Sequence, residues 1–260
     1  MEMCAVFCRR SADFFLGGNM PFADIHIHAV CGVDDGAITR EGMFRMVDAA
    51  YSDGTRLMCV TPHFHPGAFG EHHKKTLEEF KCLKEYAAEK YPDLELYLGN
   101  EMRYSDRCQD WLYDGVCLSM GGTKYVLTEF SFGETSERIT KALESMFNFG
   151  YIPIVAHAER YHNLPLSQIR KLHSEGVLIQ VDSMSLLKKF GFKEWYRSKK
   201  MLALGCVDFV SSDAHDTRRR PPELGECYEY VKRKFGEGCA DAVFYENAKN
   251  IFSEKKESEI

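Results

Sequence analysis

Short apolar runs alternate along this chain with longer segments in which apolar residues recur every three or four positions. The first apolar run, Phe22–Ile27, is followed by a periodic segment that begins after Thr39, a favourable N-cap, and ends near Asp53, just before Gly54. Short apolar runs are typical of buried strands, and the periodic segments are typical of amphipathic helices. Their alternation predicts parallel strands joined by crossover helices.

The same alternation continues almost to the end of the chain. Further strands are predicted at 57–60, 94–98, 125–128, 152–156, 177–181 and 207–210. Further helices are predicted at 71–91, 135–149, 166–174, 186–204 with an interruption near Gly191, and 223–235. Runs such as 152–156 are apolar on both faces, as a parallel sheet covered on both sides requires. About seven strands with short connections therefore predict a single α/β barrel.

Histidine or acidic residues follow these strands, at the edge where the active site of such a barrel lies. His26 and His28 are two apart on the first strand, so both imidazoles point to the same side. Imidazole and carboxylate together suit divalent transition metals, although any one of these residues could instead be a hydrogen-bonded histidine or a surface acid. The predicted site comprises His26, His28, His63, Glu101, Glu129, His157, Asp213 and His215, with Asp34 in the loop after the first strand.

Composition and charge exclude several classes of protein. The 260 residues are 45% hydrophobic and 28% charged, which is typical of a soluble globular domain. A net charge of -6 without a dominant basic block argues against a nucleic-acid partner. No apolar run approaches the roughly 18 residues that span a membrane, so we expect no membrane insertion. The ten cysteines are scattered and residues 1–20 lack the apolar core of a signal peptide, which predicts reduced thiols and a cytoplasmic location.

A C-x5-R pattern at Cys4 and Arg10 resembles the phosphate loop of cysteine-dependent phosphatases. That loop needs a preceding buried strand and small residues, so that its amides can surround a phosphate. Only three residues precede Cys4, and the intervening residues include no glycine. We therefore expect no cysteine mechanism. Residues 1–20 are predicted to be an extension ahead of a domain spanning 21–253, and residues 254–260 to be a polar tail.

Taken together, these motifs resemble the polymerase-and-histidinol-phosphatase (PHP) superfamily. They are most similar to the bacterial metal-dependent tyrosine-protein phosphatases that act beside capsule and exopolysaccharide kinases. The matching segments are DIHIHAVCGVDDGA, VTPHFHPG, GNE, LTEF, PIVAHAERY, QVDSMSL and SSDAH…RPP, in order along residues 24–222. The resemblance implies a distorted (βα)7-type TIM-like barrel, the PHP fold, in a single domain.

The resemblance also implies three divalent metal ions, with Mn favoured and Fe, Zn, Mg or Co as alternatives. By position in the motifs, one ion is held by His26, His28, Glu101 and Asp213; a second by Asp34, His63 and His215; and a third by Glu129 and His157, with Glu101 bridging. Arg160 and Arg220 match arginines that such enzymes use on the phosphate. The chain departs from the family at Ala158, where proline is usual, and at 182–185, where an Asn-Ala-Gly-Ser-like run is usual. We expect the second departure to alter the rim of the site.

With the three ions that the resemblance implies, the charge of the site favours phosphate chemistry. Three divalent ions with four carboxylates leave the inner site with about two net positive charges, and the two arginines add more. Such a site attracts a phosphomonoester dianion, and bound metal ions lower the pKa of a bridging water toward about 7, which supplies a hydroxide nucleophile. A phenolate with a pKa near 10 also leaves more readily than an alkoxide.

The expected function is therefore hydrolysis of phosphotyrosine in protein, with the disordered tail of a bacterial tyrosine kinase that controls capsular or exopolysaccharide synthesis as the substrate implied by the resemblance. The alternatives are a small-molecule phosphatase such as histidinol-phosphatase, a nuclease or nucleotide phosphoesterase, and a catalytically silent metal-binding adaptor. The candidates to flank a phosphotyrosine ring are Phe64, Phe69, Phe130, Phe132 and Tyr161.

Overall fold

The computed structural model describes residues 20–69 and 72–258. The pattern at Cys4 and Arg10, and residues 1–19 of the predicted extension, lie outside the described residues. Within them, the strands are β1 Phe22–Ile27, β2 Thr55–Val60, β3 His63–Phe64, β4 Glu95–Leu98, β5 Glu101–Arg103, β6 Tyr125–Glu129, β7 Ile152–Val155, β8 Leu178–Asp182 and β9 Phe209–Ser211. The predicted strands are confirmed to within two residues at each end. β3 and β5 escaped prediction because, with two and three residues, they are too short to show an apolar pattern.

The strands pair in parallel in two sheets, of order β1-β2-β4 and β3-β5-β6-β7-β8-β9. Only two residues separate β2 from β3, and two separate β4 from β5, so each pair carries the chain from one sheet into the other. A parallel bridge between Ile27 and Ala214 connects the end of β1 to the chain just beyond β9. The chain is thus a single α/β domain with a curled parallel sheet.

Helices connect the strands, as the alternation predicts. They are α1 Arg40–Asp53, α2 His73–Lys90, α3 Cys108–Tyr113, α4 Ser136–Asn148, α5 Leu166–Ser174, α6 Ser183–Leu186, α7 Phe192–Ala203, α8 Gly225–Phe235, α9 Glu237–Asp241 and α10 Asn247–Ser258, with single turns of 3-10 helix at Met120–Gly122 and Ala158–Arg160 and a π-helical turn at Ala242–Glu246. The Thr39 side chain accepts a hydrogen bond from the Gly42 amide and caps α1. Gly191, with φ 118°, interrupts the predicted 186–204 helix between α6 and α7. The backbone of α10 continues through residues 254–258, which were predicted as a polar tail.

An irregularity in β1 turns the histidines toward the interior. Asp24 pairs with Met58 and Ile27 with Val60, so β1 contains one more residue than β2 over this stretch. Ile25 packs in an apolar cluster shared by five strands, whereas Ile27 packs on the other side of the sheet, against α1. His26 and His28 therefore point to the side that Ile25 faces. No helix in the described ranges is long and apolar enough to cross a membrane.

Candidate metal centre

Two imidazoles and two carboxylates converge at the carboxyl ends of the strands. The Nε2 atoms of His26 and His28 lie 3.2 Å apart, and both side chains are fully buried. Oε2 of Glu101 lies 3.3 Å from each of these nitrogens, and Oδ1 of Asp213 lies 3.3 and 3.4 Å from them. The structure thus brings together the four residues that were expected to share one ion.

Glu101 lies at the centre of a wider cluster. Its Oε2 is 2.9 Å from Nδ1 of His63, and its Oε1 is 2.8 Å from Nε2 of His157. Glu129 also approaches His63, with 3.3 Å between Oε1 and Nδ1. One buried carboxylate therefore contacts four histidines, as a bridging ligand would.

The acidic pair after β1 is arranged differently from the sequence expectation. Asp34 accepts hydrogen bonds from Nδ1 of His28 at 2.8 Å and from the His63 amide at 2.9 Å, so it orients these residues from behind. It is Asp35 whose Oδ1 faces two imidazoles, at 3.6 Å from Nε2 of His63 and 3.4 Å from Nε2 of His215. Asp35 therefore shares a possible ligand group with His63 and His215, whereas the Asp34 carboxylate is hydrogen-bonded to His28 and to the His63 amide.

The tight turn after the acidic pair explains this arrangement. A Cβ at Gly36 would lie 2.1 Å from the carbonyl oxygen of His28, so only glycine allows the loop to fold back this closely. The Gly36 amide donates to Oδ1 of Asp34 at 3.0 Å and holds that carboxylate behind His28. Spacing alone could not separate two adjacent aspartates.

A glutamine that the sequence analysis did not single out supports the opposite side of the cluster. Oε1 of Gln180 lies 3.2 Å from Nδ1 of His26 and accepts a hydrogen bond of 2.6 Å from the His157 amide. Its Nε2 donates to Asp182 at 3.0 Å, and Asp182 forms an ion pair with Arg160. Gln180 thereby connects two candidate metal ligands to a candidate phosphate-binding arginine.

Asp24, also missed in the sequence, links β1 to the end of β9. The hydroxyl of Ser212 donates to its Oδ2 at 2.5 Å, and the Ser212 amide donates to its Oδ1 at 3.1 Å. Burial raises the pKa of Asp24 to about 6, even though the hydrogen bonds from Ser212 oppose the shift. The contact fixes the strand that carries His26 against the strand that leads to Asp213.

Three arginines surround the cluster and are partly exposed. Arg220 forms an ion pair with Asp213, and Arg160 approaches the same carboxylate at 3.1 Å. Arg103, which the sequence analysis did not include, lies with its Nη1 3.2 Å from Oε2 of Glu129. These cations border the metal centre on its solvent side, where a phosphoryl group would enter.

The residues present fit a bound cation. The Nδ1 atoms of His26 and His28 face Gln180 Oε1 and Asp34 Oδ2, which are acceptors, so each Nδ1 carries the proton and each Nε2 directs a lone pair at the same point. Nδ1 of His63 and Oε2 of Glu101 are buried and lie 2.9 Å apart, without the alignment of a hydrogen bond to any described residue. A divalent ion would satisfy both groups of atoms.

The electrostatics agree with this interpretation. Burial alone would raise the pKa values of Glu101 and Asp213, but the neighbouring His26 imidazole holds both well below the ordinary range. Burial likewise lowers the pKa of His26, and the two carboxylates more than offset this and raise it. Metal binding needs unprotonated Nε2 atoms, so it would release protons from the imidazoles whose pKa the carboxylates raise. Three groups of ligand atoms are close enough to hold ions: His28, Asp35, His63 and His215; His26, His28 and Glu101; and His63, Glu101 and Glu129.

Comparison with known proteins extends over nearly the whole described chain. The family described as "Capsular polysaccharide synthesis, CpsB/CapC" matches residues 22–253. Tyrosine-protein phosphatase CpsB of Streptococcus agalactiae serotype III is 31% identical over 235 residues, which cover 88% of this chain and 97% of the relative. The CpsB phosphatase of Streptococcus pneumoniae is 30% identical over 239 residues, or 89% of this chain and 98% of the relative.

A solved structure is similar to the fold as well as to the sequence. It belongs to the crystallographic work on YwqE from Bacillus subtilis and CpsB from Streptococcus pneumoniae, which are described there as metal-dependent tyrosine phosphatases. The TM-score is 0.77 with 28% sequence identity, and the match covers 84% of this chain and 89% of the other. This chain therefore belongs to the CpsB/CapC family of capsular polysaccharide synthesis proteins.

Proposed function

We propose that this protein is a metal-dependent phosphatase that hydrolyses phosphotyrosine in protein during capsular polysaccharide synthesis. The observation that carries the proposal is the convergence of two Nε2 lone pairs, from His26 and His28, on the carboxylates of Glu101 and Asp213, with arginines beside them. The tyrosine-protein phosphatases CpsB and YwqE, which match most of the chain, support the same reaction.

Three divalent ions, with Mn favoured, are proposed for the centre. We assign the first to His26, His28, Glu101 and Asp213; the second to Asp35, His63 and His215; and the third to Glu129 and His157, with Glu101 shared. Asp34 orients His28 in this assignment and is not a ligand. Imidazole and carboxylate donors accept Mn, Fe, Zn, Mg or Co, so the donor set alone does not select the metal.

The arginines bind the phosphoryl group in this proposal. Arg160 and Arg220 both reach the Asp213 carboxylate, so their guanidinium groups are held beside the metal ligands by an acid that also faces the centre. A guanidinium forms paired hydrogen bonds with phosphoryl oxygens, which fixes the ester in one orientation. Bound divalent ions supply a water of lowered pKa and neutralise the phosphoryl oxygens.

The leaving group needs little help from the protein. A phenolate has a pKa near 10, so it departs without the full protonation that an alkoxide requires. Arg103, paired with Glu129, adds positive charge at the edge of the centre, which favours the developing negative charge of the transition state. The proposed chemistry therefore rests on charge and orientation, and it needs no covalent intermediate with the enzyme.

We further infer that the two sheets form one distorted (βα)7 barrel, in which β2 continues into β3, β4 into β5, and β1 adjoins β9. Residues 21–253 would form this domain, with 1–20 and 254–260 as an extension and a tail. The proposed substrate is the tyrosine-rich tail of a bacterial tyrosine kinase in the cytoplasm. The kinase and its location follow from the resemblance of the motifs.

Steady-state kinetics on matched peptides test the function. We expect kcat/KM to be higher for a phosphotyrosine peptide than for the phosphoserine and phosphothreonine peptides or histidinol phosphate, and Cys4→Ala to retain full activity. A tenfold preference for histidinol phosphate would overturn the phosphotyrosine assignment in favour of a small-molecule phosphatase. Loss of activity in a folded, metal-loaded Cys4→Ala protein would favour a cysteine mechanism instead.

A further inference from the structure

A cavity of about 420 Å³ opens beside the metal centre. Its lining consists of Phe132, Arg160, His162, Phe190, Glu194 and Arg220. Both arginines proposed to bind phosphate belong to this lining, so the cavity begins where the phosphoryl group would lie. Its volume falls within the range of about 300–1,000 Å³ that is usual for small-molecule sites.

Two phenylalanine rings line the cavity, and each contacts a residue of the site. The Phe132 ring centroid lies 5.9 Å from that of His157 and 6.1 Å from that of Tyr161. The Arg160 guanidinium lies over the Phe190 ring, 4.6 Å from its centroid. The aromatic surface is therefore continuous with a metal ligand on one side and with a phosphate-binding cation on the other.

Phe132 is unusual among the aromatic residues near the strand ends because it is 57% exposed. Phe64, Phe130 and Tyr161 are almost fully buried and belong to the core, and Phe69 stacks on His63 at a centroid distance of 5.0 Å. Of the five predicted ring-flanking residues, only Phe132 contributes to this cavity. A phenyl ring kept in solvent beside a charged site gains by covering another apolar group.

The outer part of the lining is polar. Nε2 of His162 lies 3.1 Å from Oε1 of Glu194, and the His162 side chain is 42% exposed. The cavity therefore runs from the cationic groups of Arg160 and Arg220, past aromatic surface, to a polar rim. A phosphotyrosine residue in a peptide has the same order of groups, since its dianionic phosphate is joined to a flat apolar ring with polar main chain beyond it.

We propose that this cavity is the aryl subsite of the enzyme, with Phe132 and Phe190 as residues that select a phosphate ester of a phenol over one of an alcohol. The proposal rests on the proposed phosphatase function and assigns its preference for phosphotyrosine to two named side chains. Phe132 contacts the ring directly, and Phe190 contributes both ring contact and support of Arg160.

The test measures binding without turnover. Isothermal titration calorimetry of the metal-loaded full chain gives the affinity ratio of phenylphosphonate to methylphosphonate, which share a head group and differ in the ring. Each ring contact is worth about 0.5–1.5 kcal/mol. We therefore expect Phe132→Ala and Phe190→Ala each to lower this ratio about 2- to 12-fold. Phe149→Ala removes a ring that is 44% exposed but lines a different cavity, and it should leave the ratio unchanged.

The outcomes separate this proposal from the function on which it rests. If the ratio falls in Phe132→Ala and Phe190→Ala but the wild-type protein hydrolyses no phosphotyrosine peptide, the subsite stands and the proposed activity fails. If the wild-type protein hydrolyses the peptide but neither variant changes the ratio, the subsite proposal is wrong. Metal content and circular dichroism equal to wild type show that a lowered ratio reflects the lost ring.

Discussion

Two clusters of polar side chains in this molecule show opposite ways of arranging charge. On α1, the Asp48 carboxylate accepts hydrogen bonds from the hydroxyls of Tyr86 and Tyr91 at 2.7 and 2.8 Å and from Nζ of Lys90 at 2.9 Å. One negative charge meets one positive charge and two neutral donors. In the metal centre, several carboxylates and imidazoles converge instead, and Nδ1 of His63 lies 2.9 Å from Oε2 of Glu101 without the alignment of a hydrogen bond.

The difference distinguishes a structural cluster from a binding site. In the Asp48 cluster the donors and acceptors form hydrogen bonds with each other, and the cluster lies partly in solvent. It therefore requires no bound ion. The metal centre directs lone pairs from fully buried His26, His28 and Glu101 at one point, an arrangement whose cost a bound divalent ion would offset. Buried acceptors that converge on one point therefore indicate a bound cation, whereas a group of acidic residues alone does not.

Metal removal should have the largest effect, because it acts on the metal centre and leaves the Asp48 cluster intact. We expect a strong chelator to abolish phosphatase activity, and Mn²⁺ to restore it, because the centre holds its acidic residues together through the ions. Glu101→Gln removes the carboxylate that contacts four histidines. Loss of an outer support of a metal ligand typically costs about 10- to 100-fold in activity, so loss of a shared ligand should lower kcat/KM by roughly 100-fold or more. Elemental analysis and peptide kinetics measure both changes.

Asp48→Asn is the matched control for that experiment, since it neutralises a carboxylate of the other cluster. It should retain wild-type metal content and kcat/KM. Full activity of the wild-type protein in chelator, with no metal found by elemental analysis, would contradict the proposed centre.

The arginines should have the next largest effect. Arg160→Ala and Arg220→Ala each remove charge-assisted hydrogen bonds to the phosphoryl group, worth roughly 1.5–3 kcal/mol, or about 10- to 150-fold in kcat/KM. Metal content should stay at the wild-type level. Arg138→Ala, which removes an exposed arginine paired with Glu134 on the surface, should leave the kinetics unchanged. Unaltered kcat/KM in a metal-loaded Arg160→Ala protein would exclude that residue from phosphate binding.

Gln180 should affect metal affinity more than catalysis at saturating metal. Gln180→Leu keeps the side-chain size but removes the acceptor that orients His26, and lost support of a ligand typically costs about 10- to 100-fold in metal affinity. Titration of the metal-free protein with Mn²⁺ measures the change. Gln168→Leu, which removes a hydrogen bond to Thr140 on the surface helices, is the control. Equal Mn²⁺ affinity in Gln180→Leu and wild type would show that the glutamine does not position the ligand.

The sequence predicted the ligand types better than their geometry. His26 and His28 could be found because alternation on a strand places residues two apart on one side, and the structure confirms that their Nε2 atoms meet. Asp34 and Asp35 could not be separated, because only the fold of the Gly36 turn determines which carboxylate faces the other histidines. A strand pattern likewise gives no sign that Gln180 hydrogen-bonds to His26, 154 positions away.

The aromatic residues and the fold illustrate the same limit. Phe130 and Phe132 look equivalent in the sequence, yet one is buried and the other is 57% exposed. Strand and helix order followed from periodicity, and Gly191 correctly marked an interruption. Local patterns therefore predict the strands and helices and the edge of the sheet that carries the site. Contacts between distant segments decide the role of each side chain.

The smallest expected effect lies in the Asp48 cluster and concerns stability alone. Burial by itself would raise the pKa of Asp48, but hydrogen bonds from Tyr86, Lys90 and Tyr91 outweigh it and lower the pKa below the ordinary 3.8. A carboxylate with a lowered folded-state pKa stabilises the protein fully above its unfolded pKa, near 3.9, and loses that contribution as pH falls through the folded value. Asp48→Asn should therefore reduce the free energy of unfolding by about 1 kcal/mol at neutral pH.

Urea denaturation of both proteins at several pH values measures this difference. It should be constant from about pH 8 to pH 5 and shrink below about pH 4, where the wild-type carboxylate takes up a proton and resembles the amide. Both proteins must carry the same metal, because bound ions stabilise the fold and are themselves released in acid. A difference that persists undiminished below pH 4 would mean that the Asp48 charge is not what holds this cluster together. Asp48 could then no longer serve as the example of a carboxylate stabilised by its own neighbours, with which the metal centre is compared.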